Sequence, residues 1–178
     1  MNPDLDILGR TELLRGLAPA ALAECQATAF RKRLSSGDVL LRQGEPAETL
    51  YVVIVGRLRV TQTASDGQQV IIRYPGPGEL VGYATLSGGE VHPGTVTAVD
   101  DTHLVGWTAA AIREILARHP VAAMNALAVL GARYREMQVR LREVATEKVE
   151  QRIAHTIMRL ADQAGRRTAR GVEIAFPI

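Results

Sequence analysis

The sequence predicts a mainly β fold with helices, in which an antiparallel β-sandwich or jelly roll precedes a long helix. Between Phe30 and Trp107, short runs rich in Val, Ile, Leu and Tyr are interrupted about every 8–12 residues by turn-forming segments such as SSGD, SDGQ and PGPGE. Evenly spaced short strands of this kind are typical of sandwiches and jelly rolls. After Trp107 the apolar residues recur at helical spacing, so the β region ends there.

The composition is that of a folded protein, since 47% of the 178 residues are apolar and 22% are charged. No apolar stretch approaches the roughly 20 residues that cross a bilayer, and the N-terminus lacks the pattern of a signal peptide. We therefore expect a cytoplasmic protein with no membrane partner. Residues 131–178 contain ten basic and six acidic side chains, an excess of four positive charges that favours a phosphate-bearing partner.

Four segments follow from these patterns. Residues 1–29 are predicted to form a helical lead-in, and residues 30–108 form the β region. Residues 109–146 contain a short helix and then the long helix. Residues 147–178 begin a further domain with one helix and the start of a strand.

Local signals place the turns and helix starts. Pro19 suits the first turn of a helix that carries Cys25 on one apolar face. Gly56 interrupts the most apolar strand, which predicts a positive φ at a tight turn or bulge. Asp66 and Gly67 are expected to form the tip of a hairpin.

The long helix carries apolar residues at alternating spacings of three and four, with charged side chains at most positions between them. The a and d positions of a two-stranded coiled coil require this spacing, so the helix is predicted to be a homodimer axis. The alternative is that the same residues pack on the chain's own β region, since the run covers only about two and a half heptads. The six residues, called the heptad seam below, are Leu127, Leu130, Tyr134, Met137, Leu141 and Val144.

Catalytic motifs are not found in the sequence. There is no nucleophile elbow, no zinc-protease motif and no carboxylate pair with catalytic spacing, so we predict that the protein is not an enzyme and has no catalytic residues. Cys25 is the single cysteine, which excludes a Cys-built metal site and an iron–sulfur cluster. No metal site is predicted.

Four features of the sequence form a specific set: LSSGDVLLRQGEPAETLYVVIVGRLRV, the cassette PGPGELVG, the heptad helix, and RIAHTIMRLADQAG before GVEIAFPI. Through this set the sequence resembles, over essentially its whole length, the Crp/Fnr family of bacterial transcription regulators. It implies a double-stranded β-helix, the cyclic-nucleotide-binding-like jelly roll, which senses an effector and is joined by the dimerisation helix to a winged helix-turn-helix. Family members continue past the last strand into DNA-reading helices. We therefore expect a truncated start of that domain, and DNA binding only in a full-length form.

The resemblance also implies an effector pocket. Members that bind cyclic AMP neutralise its phosphate with an Arg-Ser pair, whose positions fall on His92 and Pro93 here. Their ribose-binding Glu matches Glu79, and the Thr-Ser pair that contacts adenine falls on Met137 and Gln138. The Arg anchor and the adenine contacts are thus replaced, which predicts a chain that does not respond to cyclic AMP. The predicted pocket residues are Gly78, Glu79, Leu80, His92, Pro93, Thr95, Met137 and Gln138.

Several alternatives stay open for the effector and the role. One is a genuine cyclic-nucleotide site in which glycine-loop amides and His92 replace the Arg. Another is a haem or gas sensor with His92 as axial ligand, because His92 alone among the four histidines lies beside the cassette. The ordinary alternative for His92 is a partly exposed loop imidazole. A last one is a stand-alone ligand-binding module with no DNA role. The effector itself remains unassigned.

Overall fold

The computed structural model describes residues 7–88, 90–169 and 171–173. The chain divides between Val129 and Leu130 into two compact units, each of which is described by itself.

The β region of the first unit forms two four-stranded antiparallel sheets, which confirms the predicted jelly roll. The strands are β1 Phe30–Leu34, β2 Val39–Leu41, β3 Thr49–Val55, β4 Leu58–Thr63, β5 Gln69–Arg73, β6 Leu80–Val81, β7 Thr95–Ala98 and β8 Thr102–Thr108. One sheet has the strand order β1-β8-β3-β6 and the other the order β2-β7-β4-β5. A single 3-10 turn, Tyr83–Thr85, follows β6 in the described part of this segment.

Strand β3 shows why the sequence alternation produces two cores. Its side chains point alternately to the two faces of the sheet. Leu50 and Val52 belong to a core cluster that includes the helices, and Tyr51 and Val53 belong to the cluster shared with the other sheet. Both faces of this sheet are therefore buried, and β3 reads as a continuous apolar run.

Two predicted turns are confirmed by their glycines. Gly56 follows β3 with φ +89°, and a Cβ there would lie 2.6 Å from the Asp101 carbonyl oxygen. Gly67 has φ +85° in the connection between β4 and β5, the expected hairpin tip. Both positions favour glycine because side chains rarely adopt positive φ.

Helices cover the outer face of the first sheet. They are α1 Pro19–Ala27, α2 Ala109–Arg118 and the beginning of α3 Pro120–Thr146. The Trp107 indole N–H donates to the Cys25 carbonyl at 2.8 Å, which joins α1 to β8. Helix α2 begins where the Thr108 hydroxyl accepts from the Ala111 N–H at 3.2 Å, a helix cap. Helix α3 begins at Pro120, a residue that suits the first turn of a helix. The early part of α3 is buried in this core through Ala122, Ala126 and Val129.

The second unit contains the rest of α3, α4 Val149–Ala164, and a hairpin of β9 Arg166–Thr168 and β10 Gly171–Glu173. Thr146 ends α3, where its hydroxyl donates to the Arg142 carbonyl at 2.8 Å. Residues 174–178 of the predicted last strand lie outside the described residues.

Within the described ranges, no single helix is long and apolar enough to cross a membrane. Helices α2 and α3 meet the criterion only together, and the pair is bent by 116° at the break between them.

Candidate functional site

A small cavity lies inside the first unit. Its walls come from β2, β4, β6 and β7, from the 3-10 turn after β6, and from residues 92–94. Its volume is about 40 Å³, room for a few water molecules. Lys, Arg, Asp and Glu are absent from this lining, so the walls are mainly apolar. The lining residues are Leu41, Val60, Val81, Gly82, Tyr83, Ala84, His92, Pro93, Gly94 and Val96.

Backbone contacts hold the two loops that close the cavity. The His92 N–H donates to the Glu45 carbonyl at 2.9 Å, and the His92 carbonyl accepts from the Gly44 N–H at 2.9 Å. At the end of the 3-10 turn, the Thr85 hydroxyl donates to the Thr49 carbonyl at 3.0 Å. The His92 backbone is therefore held by the β2–β3 connection, and the turn is held by β3.

His92 is the polar side chain of greatest interest on this wall. It is 3% exposed, so the alternative of a partly exposed loop imidazole is wrong. Its ring has no hydrogen-bond partner among the described residues. Burial lowers the pKa of His92, and the exposed Glu45 carboxylate offsets part of that effect. The imidazole is therefore neutral at pH 7.

This lowered pKa predicts a pH dependence. The pKa of histidine in an unfolded chain is about 6.5. As pH falls below this value, His92 is protonated in the unfolded chain before it is protonated in the folded chain. The free energy of unfolding therefore decreases below about pH 6.5 and not above it. His92→Gln lacks this effect. Between about pH 7.5 and 5.5 the free energy of unfolding should fall less in the variant than in the wild type. The difference between the two proteins is at most about 1.4 kcal/mol per pH unit. Urea unfolding at both pH values measures it, and equal losses in the two proteins would contradict the assignment.

A buried ion pair lies behind the cavity wall. Arg73, at the end of β5, is 4% exposed and donates to the Tyr83 hydroxyl at 2.9 Å and to the Glu79 carboxylate. The second Glu79 oxygen accepts from the Gly76 N–H at 2.8 Å. Glu79 therefore neutralises Arg73 and fixes the turn before β6. Tyr83 lies on the wall between this pair and the cavity.

The structure separates the predicted pocket residues. His92 and Pro93 line the cavity, and Glu79 does not, because its carboxylate is directed to Arg73 and Gly76. Leu80 is buried in the helix-facing core, since it alternates on β6 with Val81, which lines the cavity.

Four further predicted pocket residues complete the comparison. The Gly78 N–H donates to the Val53 carbonyl at 2.8 Å, and the Thr95 hydroxyl accepts from the Gln43 N–H at 3.1 Å, so neither lines the cavity. Met137 and Gln138 lie in the second unit, exposed on α3. Their predicted effector contacts stay predictions. Tyr83 is not among the predicted pocket residues, although it directly follows the cassette in the sequence.

Gly82 on the cavity wall allows a matched test of the turn. It has φ +84°, and an added Cβ would lie 2.5 Å from the Thr49 carbonyl oxygen, whereas Gly44 has φ +82° with open space around it. Gly44→Ala should cost about 1 kcal/mol of strain. We expect Gly82→Ala to cost about 1–3 kcal/mol more, because the backbone must also move. Urea unfolding measures both, and equal costs would contradict the close approach.

The heptad seam lies mostly on the surface of the chain. Leu127, Tyr134, Met137, Leu141 and Val144 are 57–69% exposed. Leu130 is half-buried. The homodimer axis and its alternative, packing on the chain's own β region, both stay predictions.

An ion-pair cluster in the second unit joins the end of α3 to α4. The Arg159 guanidinium donates to both oxygens of Glu143, at 2.9 and 2.6 Å, and Glu143 is 6% exposed. The His155 Nδ1 lies 3.0 Å from a Glu147 carboxylate oxygen. Sequence reasoning missed this cluster, because Glu143 looks like an ordinary charged neighbour of the seam.

Among the described residues there is no group of three or more His, Cys, Asp or Glu side chains that could hold a metal ion.

Comparison with known proteins identifies the fold's relatives. The family model for the cyclic nucleotide-binding domain matches residues 31–119, half of the chain. The Cyclic AMP receptor protein of Thermus thermophilus is 30% identical over 152 residues, which are 85% of this chain and 70% of that protein. The chain belongs to the Crp/Fnr family.

Solved structures agree with this membership. The N-terminal domain of a transcriptional regulator from Streptomyces coelicolor A3(2) is 29% identical, with a TM-score of 0.61 over 74% of this chain and 94% of that one. The Thermus thermophilus Catabolite Activator Protein, 22% identical, shares the fold, with a TM-score of 0.70 over 93% of this chain and 94% of that one. All three relatives are described as receptors, activators or regulators rather than as enzymes.

Family membership connects the cavity with the matched region. Every residue that lines the cavity lies within residues 31–119 of this Crp/Fnr chain. The cavity is thus the candidate effector site of the protein, and the seam on α3 lies outside the matched region.

Proposed function

We propose that this chain is the effector-sensing and dimerisation part of a Crp/Fnr-type transcription regulator, in which α3 controls DNA binding. The observation that carries the proposal is the heptad seam, whose apolar side chains are spaced for a two-stranded coiled coil and are exposed in the single chain. A contiguous exposed apolar stripe of this kind marks an interaction surface. A second copy supplies the same spacing along α3, so a homodimer covers the stripe.

DNA is the proposed macromolecular partner of the full-length protein. The family membership supports this, and so does the excess of four positive charges in residues 131–178. The proposal predicts DNA reading by a helix-turn-helix that follows the described residues. A stand-alone ligand-binding module is its alternative, and a helix-turn-helix in the longer gene product would exclude it.

The effector is proposed not to be cyclic AMP. The cavity lining contains no side chain with a positive charge, and Pro93 stands at one of the positions where the resemblance places the phosphate anchor. A cyclic phosphate in such a site would lose its hydration without a cationic partner.

A cyclic-nucleotide effector is the second candidate. Two observations favour it: the description of the matching family model, and the name of the Thermus thermophilus relative, Cyclic AMP receptor protein. In this candidate the backbone amides of the cassette and His92 contact the phosphate in place of an arginine.

Haem at His92 remains an untested prediction. The unpartnered imidazole suits an axial ligand, but a cavity of about 40 Å³ has no room for the macrocycle in this conformation. We therefore derive no step through haem.

The oligomeric state tests the proposed function. Sedimentation velocity on the purified chain should give a dimer at micromolar concentration, with a dimer fraction that rises with concentration. A chain that remains monomeric throughout that range would contradict the proposal, because the seam would then have no partner.

A further inference from the structure

The cavity around His92 differs in chemistry from a site for an anion. Its lining is formed by aliphatic side chains, glycines, a proline, a tyrosine and one histidine, as described above. A charged ligand that enters such a site loses its hydration, and no charged wall residue compensates it. The apolar walls therefore select against ions of either sign.

Arg73, which donates to the wall residue Tyr83, does not change this. Arg73 is 4% exposed, and its guanidinium is engaged by the Glu79 carboxylate and the Tyr83 hydroxyl. Because Glu79 balances its charge and Tyr83 stands on the wall in front of it, Arg73 supplies no uncompensated positive charge to the cavity. An anion that recruited Arg73 would have to break this buried pair, which is unfavourable.

His92 supplies what the other wall residues lack, a polar group without a partner. The residue is 3% exposed, and its ring has no hydrogen-bond partner among the described residues. Burial lowers the pKa of His92, so the ring is neutral and offers one N–H donor and one nitrogen acceptor. A ligand hydroxyl in the cavity can therefore form a hydrogen bond with this ring without displacing a protein partner of the ring among the described residues.

We propose that the effector of this chain is a small, uncharged and mainly apolar molecule with one hydroxyl or similar group, which forms a hydrogen bond with the His92 ring while its apolar part contacts the aliphatic wall. The inference rests on the proposed effector-sensing function and specifies the ligand class of the same site. The cavity volume limits the size of the ligand, since a few water molecules fill the cavity. A branched alcohol of about five heavy atoms would reach from the His92 ring to the aliphatic walls if the mouth of the cavity opened slightly.

Three probes with one carbon skeleton test the charge preference. The chain is labelled at Ile, Leu and Val methyl groups, and the methyl signals of Leu41, Val60, Val81 and Val96 are followed by NMR during titration with isobutanol, isobutyrate and isobutylammonium. Isobutanol should shift these wall signals saturably, with an apparent affinity at least tenfold higher than that of either ion. Equal or tighter binding of isobutyrate or isobutylammonium, or no response to isobutanol, would overturn the proposal.

Histidine variants test the hydrogen bond. His92→Phe keeps a ring of similar size without the donor and acceptor, and should weaken isobutanol binding about tenfold. His92→Gln keeps a neutral donor and acceptor and should bind within about threefold of the wild type, which also covers the case in which His92→Phe does not fold. His103→Phe is the matched control, an exposed histidine on β8 outside the lining, and should change nothing. Unchanged affinity in His92→Phe would contradict the assigned contact.

Sedimentation of the same samples separates this inference from the proposed function. A dimeric chain that prefers an ion overturns only the ligand class. A monomeric chain contradicts the proposed function whatever the probes do.

Discussion

Replacing Leu141 with glutamate is expected to raise the dissociation constant of the dimer at least 100-fold. Leu141 is the most exposed member of the heptad seam, at 69%. In a two-stranded coiled coil the variant would bury two like-charged carboxylates against apolar residues, which costs more than about 3 kcal/mol for the pair of chains. Sedimentation equilibrium over a concentration series measures the dissociation constant.

Val139 provides the matched control. It is an exposed apolar residue of the same helix, at 43%, but it lies two positions from Met137 and from Leu141 and thus on the side away from the seam. Val139→Glu should leave the dissociation constant within about threefold of the wild type. Similar effects of Leu141→Glu and Val139→Glu would mean that the stripe is not the dimer surface.

Replacing Glu79 with glutamine is expected to lower the free energy of unfolding by about 2–3 kcal/mol. The change leaves the guanidinium of Arg73 buried with no carboxylate, and an uncompensated buried charge is strongly unfavourable. We set the value below the full range for buried pairs because Glu79 is 31% exposed on its side chain. Urea unfolding followed by the fluorescence of Trp107, the single and fully buried tryptophan, reports on this unit.

Two companion variants define the interaction. Arg73→Met combined with Glu79→Gln removes both charges and should recover most of the lost stability. Glu45→Gln changes an exposed carboxylate and should alter stability by less than about 0.5 kcal/mol. An unchanged stability in Glu79→Gln would show instead that this carboxylate is free for a ligand, as the resemblance to cyclic-AMP-binding members implies.

The fold was largely predictable because its signals are local. Regular strand spacing, a glycine inside an apolar strand, and the proline at the start of α3 each depend on neighbouring residues alone, and the structure has β1 beginning at Phe30 and β8 ending at Thr108. The heptad seam was equally visible. Its exposure was not, because spacing alone does not distinguish a dimer surface from a face that packs on the same chain.

The site was predicted less completely because its contacts join residues distant in sequence or on opposite strand faces. The cassette drew attention to Glu79, but only the fold shows that Arg73 turns inward to meet it. Leu80 and Val81 are neighbours in the sequence and face different cores. His92 was selected for its position, and its backbone bonds to Gly44 and Glu45 join residues that are distant in the sequence.

Calorimetric titration of the purified chain with cyclic AMP and cyclic GMP tests the central claim most directly. We expect no saturable heat at micromolar ligand, because the described residues that line the His92 cavity include no positive side chain and Arg73 is held by Glu79. Saturable binding of either nucleotide would contradict it, and would mean that the cassette amides and His92 replace the arginine.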